Sequence, residues 1–107
     1  GFVGDIKSVE GRAINRMFRV SNFIACSCLG LTQDGEICNV NADTIATQIA
    51  IATKAHKLIF LSDVDGVQID GKSADIITTD QIPALIKNGV ATGGMRVKLE
   101  NCYAALK

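Results

Sequence analysis

The apolar run Lys57-Leu58-Ile59-Phe60-Leu61 follows almost directly on residues 42–55, where alanine and isoleucine recur at helical spacing. No other feature constrains the fold as tightly. An apolar helix feeding an apolar strand is the pattern of a largely parallel sheet covered by helices. The chain therefore reads as α/β. In the helix, Ala42, Ile45, Ile49 and Ala52 share one face. Ala46, Ala50 and Ile51 make much of the remainder apolar, so a well-buried helix is expected.

The flanking sequence extends this reading. Residues 10–20 mix arginine with apolar side chains and fit an amphipathic helix. Phe23 to Leu29 is a short apolar run that fits a buried strand. Asp34-Gly35 marks a turn, after which Ile37 to Val40 returns as a short extended piece. Asn41 is the expected N-cap of the apolar helix, with Asp43 in its first turn. Asp70-Gly71 predicts a second tight turn. Thr79 is expected to cap a short helix from Asp80 to Lys87, with Pro83 tolerated in its first turn and Asn88-Gly89 stopping it. Gly93-Gly94 leads into a last helix, where Met95, Leu99, Cys102 and Leu106 share a face.

A chain of 107 residues with 48% hydrophobic content is expected to form one small domain, residues 1–107, with a modest core. Eleven basic and eleven acidic residues cancel, so nothing in the charge favours a nucleic-acid or membrane partner. No apolar run approaches a membrane span and no signal peptide is recognisable. Cys26, Cys28, Cys38 and Cys102 lack C-x-x-C spacing, and His56 is the single histidine, which argues against structural zinc. Reduced, mostly buried thiols are expected, as in a cytoplasmic protein. The chain begins at Gly1 in an apolar stretch and ends at Lys107 inside a helical pattern, so both ends are expected to be cut.

Three segments carry candidate chemistry. Asn39, Asn41 and Asp43 are polar residues at the mouth of the apolar helix. In extended chain, residues two apart face one side, so Asn39 and Asn41 can address one ligand. Plain capping accounts equally well for Asn41 and Asp43. Ser62-Asp63-Val64-Asp65-Gly66 follows the apolar strand, where open α/β sheets bind ligands. An ordinary β-turn is the alternative. An EF-hand is excluded, because Gly66 is only the fourth residue counted from Asp63. Lys98 follows the glycine pair at a helix start, where backbone N–H groups attract anions and an unpaired ammonium is disfavoured. A solvated surface lysine is the alternative. Gly30 to Gly35 has Walker A spacing, but Glu36 stands where the lysine belongs.

Taken in order, Gly1-Phe2-Val3-Gly4-Asp5-Ile6, then Asp34-Gly35 with Asn39-Val40-Asn41-Ala42-Asp43, then Leu61-Ser62-Asp63-Val64 with Gly66-Val67, and Gly93-Gly94-Met95 with Lys98 resemble the amino acid kinase family. The likeness is strongest to members whose acceptor is N-acetyl-L-glutamate, the committed phosphorylation of arginine biosynthesis. It implies a three-layer α/β/α fold with a mainly parallel sheet, carbamate kinase-like, of which this chain matches the C-terminal, nucleotide-binding half. The implied reaction moves the γ-phosphoryl group of ATP onto a carboxylate, with magnesium bridging the phosphates. Lys98 would stabilise the transferring group and Asp43 would orient the catalytic lysines. Asn39, with Asn41 beside it, would hold the acetylated amino acid. Ser62, Asp63, Val64, Asp65, Gly66, Val67 and Gln68 would line the ATP or ADP site, together with Val90, Ala91, Thr92, Gly94 and Met95. The full-length protein would be a homo-oligomer.

The chain departs from the family pattern at two positions. Val97 stands before Lys98 where proline is usual, and Arg96 replaces an apolar residue. The family's glycine-rich loop and second catalytic lysine belong to a half that this sequence does not contain, so the chain alone is expected to be inactive. A kinase for acetylaminoadipate, aspartate or glutamate remains open on these residues, as does a non-catalytic nucleotide-binding or regulatory module.

Overall fold

A computed structural model describes residues 4–107. Gly1, Phe2 and Val3, the opening of the family-like segment, lie outside the described residues. The chain divides into two compact units, Gly1–Leu58 and Ile59–Lys107.

The first unit contains α1 (Gly11–Met17), β1 (Leu29–Leu31), β2 (Ile37–Asn39) and α2 (Ala42–Thr53). β1 and β2 form an antiparallel hairpin in which Leu29 faces Asn39 and Leu31 faces Ile37. Its turn is the expected one at Asp34-Gly35. Gly35 takes a φ of 84°, and Thr32 closes the turn by accepting the Glu36 N–H on its Oγ1 at 3.0 Å. Asn41 caps α2, its Oδ1 accepting the Thr44 N–H at 3.1 Å. At the other end Lys54 adopts a left-handed φ of 54°, and the Ala55 N–H reaches back to the Ala50 carbonyl at 2.9 Å.

α2 is less buried than its composition predicts. Its one fully buried side chain is Thr47, 0% exposed, whose hydroxyl donates to the Asp43 carbonyl at 2.8 Å. Ile45 and Ile49 instead line an apolar cleft of about 380 Å³ together with Ile14, Phe18, Cys26 and Cys28. Cys26 and Cys28 are exposed, against the expectation of mostly buried thiols, while Cys38 is buried. α1 meets α2 at Gly11, where a β-carbon would lie 2.9 Å from the Ala52 carbonyl oxygen.

The second unit contains β3 (Gln68–Ile69), β4 (Lys72–Ser73), a short 3-10 turn (Thr79–Gln81), α3 (Ile82–Lys87) and α4 (Gly93–Leu106). β3 and β4 pair antiparallel across the predicted Asp70-Gly71 turn. Both turn residues have positive φ, 52° and 79°, the requirement of a type I′ hairpin that matches strand twist. The helix cap is Thr78 rather than Thr79, its N–H held by Gln81 Oε1 at 2.8 Å. The core consists of Val67, Ile82, Ala91 and Leu99, with Met95, Cys102 and Tyr103 packed against it.

Two expected strands are largely without a ladder, Leu29 alone entering β1. Phe23–Cys28 and Lys57–Leu61 are without regular secondary structure, and Ile59 and Leu61 are 75% and 91% exposed. Among the described residues both ladders are antiparallel, so the mainly parallel sheet is not present in them. The physical reason is that an apolar run specifies burial, whereas a strand exists only through its hydrogen-bonded neighbours. Among the described residues no helix is long and apolar enough to cross a membrane.

Two stability outcomes follow from this packing. Gly11→Ala should destabilise the chain by about 1–3 kcal/mol, because the obstructing atom is backbone and cannot rotate away. Denaturant unfolding measures it. In the same assay Asn41→Ala should lose about 1 kcal/mol of cap stability, whereas Asn41→Asp should retain most of it.

Candidate functional site

The second unit assembles a cleft of about 420 Å³ from two separated stretches. One stretch is the loop Asp63, Val64, Asp65 and Gly66 with Gln68; the other is Val90 and Thr92 with Met95. Each stretch is held by a core residue within it. Val67 lies between Gly66 and Gln68, and Ala91, 1% exposed, lies between Val90 and Thr92. Gly66 has a φ of 148°, which an L-residue rarely adopts, so the loop's bend depends on glycine. Gln68 is fixed by its own hydrogen bond, Nε2 donating to Ser73 Oγ at 2.7 Å.

All eight lining residues belong to the nucleotide-site set expected from the sequence. The structure places the other four differently. Val67 and Ala91 are buried, so only their backbone can meet a ligand. Ser62 and Gly94 are exposed and do not line the cleft.

The cleft shares Thr92 and Met95 with the start of α4. Thr92 is the N-cap residue in extended conformation, and its carbonyl accepts the Arg96 N–H at 3.3 Å. Helix geometry leaves the N–H groups before Arg96 without an intrahelical acceptor, and the dipole makes this end electropositive. The cleft edge is thus suited to an anionic group. Lys98 stands in the second turn of α4, not at its mouth, and is half-buried. Its Nζ lies 5.4 Å from the centroid of the Phe60 ring. Arg96, the departure from the family pattern, is ion-paired with Glu100, Nε to Oε1 at 2.9 Å, on an exposed flank.

The other candidates lie in the first unit. Asn39 and Asn41 are exposed on either side of buried Val40, the alternation expected of extended chain. The Asn39 carbonyl accepts the Gly4 N–H at 2.8 Å, which leaves its side chain on the hairpin surface beside Leu29. The Asn41 Oδ1 is engaged as a cap by both the N–H and the hydroxyl of Thr44. Asp43 is half-buried in the first turn of α2. His56 is exposed just beyond that helix.

Sequence reading missed two features of these units. A further cleft of about 510 Å³, in the first unit, is lined by Asp5, Lys7, Thr32 and Asp34 among others; Asp5 and Asp34 belong to family-like segments, but nothing in the sequence placed them together. The Phe60 contact with Lys98 was equally silent, because the two residues are far apart in sequence.

Comparison with known proteins gives this geometry its family. The sequence profile of the amino acid kinase family matches residues 1–107. The chain is 38% identical over 111 residues to an acetylglutamate kinase of Desulforamulus reducens, covering 100% of this chain and 39% of the relative. It is 42% identical over 108 residues to one of Koribacter versatilis, covering 100% of this chain and 41% of the relative. The chain thus spans about two fifths of the length of the curated relatives it matches. The crystal structure of smu.665 from Streptococcus mutans UA159 superposes with a TM-score of 0.91 at 33% identity, over 98% of this chain and 43% of that one. A full-length profile match and a close structural likeness agree, and the chain belongs to the amino acid kinase family.

Proposed function

We propose that this chain is the nucleotide-binding half of an ATP-dependent kinase that phosphorylates the side-chain carboxylate of N-acetyl-L-glutamate. The observation that carries the reading is the cleft between the Asp63–Gln68 loop and Val90–Met95, set at the electropositive start of the helix that bears Lys98. Acetylglutamate kinases are among the relatives matched over the whole of this chain, which supports the choice of acceptor.

In this mechanism the cleft holds ATP as substrate, and magnesium would supply charge neutralisation at its phosphates. A carboxylate oxygen of the acceptor attacks the γ-phosphorus as the bond to the β,γ-bridging oxygen breaks. The products are an acyl phosphate and ADP. Phosphoryl transfer asks little covalent chemistry of the protein, so positioning and charge dominate. Lys98 neutralises charge on the transferring group, and Asp43 orients the lysines around it. Asn39 holds the acetylated amino acid from the exposed face of the hairpin, and Asn41 contributes its amide nitrogen while its oxygen caps α2. In the whole protein Phe23–Leu29 and Lys57–Leu61 serve as strands of a mainly parallel sheet in a three-layer α/β/α fold. Their apolar composition supports this. The same protein works in the cytoplasm as a homo-oligomer, acting in arginine biosynthesis.

Calorimetric titration of the chain with Mg-ADP tests the cleft. Saturable binding is expected. Gly66→Ala should weaken it, since the added β-carbon has room but the backbone is held at a glycine-only φ. A folded chain that gives no binding heat, or one indifferent to Gly66→Ala, would remove the nucleotide from this cleft. In the full-length protein, Lys98→Ala should lower kcat by at least roughly a hundredfold with a smaller change in KM for ATP, the signature of an interaction made mainly in the transition state. Steady-state kinetics measure it, and unchanged turnover would return Lys98 to a surface role.

A further inference from the structure

Three of the chain's four arginines line one cleft. Arg12, Arg16 and Arg19, with Asn15, bound a space of about 320 Å³ in the first unit. Their spacing of four and then three residues puts them on one helical face. α1 ends at Met17, but the Phe18 and Arg19 N–H groups donate to the Ile14 and Arg16 carbonyls at 3.1 Å, so the winding continues through Arg19. Another face of α1 is committed to α2. Ile14 and Phe18 line the apolar cleft there, and Gly11 makes the close approach to Ala52. The three arginines are left exposed. Helix stability does not account for them. The first turn of α1 holds Arg12 and no acidic residue, although the dipole disfavours a cation at that end. Arg12 and Arg16 are four apart, a spacing at which like charges repel. The dipole favours Arg16 in the last turn and Arg19 beyond it, but not Arg12. The cleft is lined by no carboxylate, and among the described residues none is ion-paired with the three arginines. Side chains that work against their own helix point to a functional constraint.

We propose that Arg12, Arg16 and Arg19, with Asn15, form a binding site for an oligophosphate, sharing no residue with the cleft of the second unit. A guanidinium is planar and always charged, and its paired N–H groups match two phosphate oxygens. Lysine outnumbers arginine seven to four in this chain, yet no lysine lines the cleft, so fork geometry and not bare charge is concentrated here. Seven residues of helix span about 10 Å, which lets three forks converge on successive phosphates of one short chain. Asn15 adds an amide donor. The cleft is compact, which suits a short phosphate chain better than an extended acidic peptide, and the balanced charge of the chain disfavours nucleic acid. The bound anion neutralises the repulsion between the arginines and the misplaced charge at the helix start.

The test is calorimetric titration and thermal unfolding of the full-length protein with sodium tripolyphosphate, in the absence of magnesium. Saturable binding is expected, and the unfolding midpoint should rise with the anion. The double change Arg12→Gln with Arg16→Gln should weaken binding at least about tenfold, yet unfold no earlier than wild type without the anion, since it removes a repulsion. Replacing all three arginines by lysine keeps the charge and loses the forks, and should weaken binding roughly three- to tenfold. Gly66→Ala, in the second unit, should leave this binding unchanged. ATP binding that is tighter than tripolyphosphate and lost in the same arginine variants would identify the phosphate chain as that of a nucleotide; weaker ATP binding would identify it as free oligophosphate. Tripolyphosphate binding that survives the double glutamine change, that the lysine variant matches, or that only Gly66→Ala abolishes would overturn the proposal. So would tighter binding of a hexaglutamate peptide.

Discussion

The packing of Leu99 against Val67, Ile82 and Ala91 is the contact on which the candidate site depends. Three of the four core residues have a site residue next to them in sequence. Val67 carries Gly66 and Gln68 on its flanks, Ala91 carries Val90 and Thr92, and Leu99 follows Lys98. Burying such side chains is worth about 1.5–3 kcal/mol each for the larger ones, and that energy holds three distant stretches of chain together. The cleft is a by-product of this core. Its lining residues are exposed or half-buried, and of them Met95 also packs against the core.

The first unit works differently. Its polar candidates are placed by backbone geometry instead of a core. The β1–β2 hairpin and the α2 cap impose strict alternation on Asn39, Val40 and Asn41, so burying Val40 presents both asparagines. The oxygen of Asn41 closes the helix end, and its nitrogen is a separate group pointing from the same amide.

The local signals were legible wherever a single turn or cap decided the outcome. Asp34-Gly35, Asp70-Gly71 and the Asn41 cap are where turn and cap chemistry puts them, because each is settled within four residues. The helix cap near Thr79 fell one residue early, at Thr78, where the Gln81 side chain can reach back to an N–H. The apolar runs misled for a different reason. Phe23–Leu29 and Lys57–Leu61 read as buried strands, and in these units they are largely unladdered, since pairing is a property of two segments and periodicity describes one. The burial of α2 was overestimated likewise. Its apolar circumference says what can be covered, while Thr47 alone is fully enclosed.

The sequence by itself determined the Asp34-Gly35 and Asp70-Gly71 turns, the Asn41 cap and the membership of the family. These depend on local backbone preference or on motif order, both of which are linear. Only the tertiary structure decided that Val67 and Ala91 are core residues and not lining, and that Lys98 stands over Phe60. Those facts require residues more than twenty positions apart to be brought within contact distance. Packing fixes such contacts, and no spacing rule encodes them.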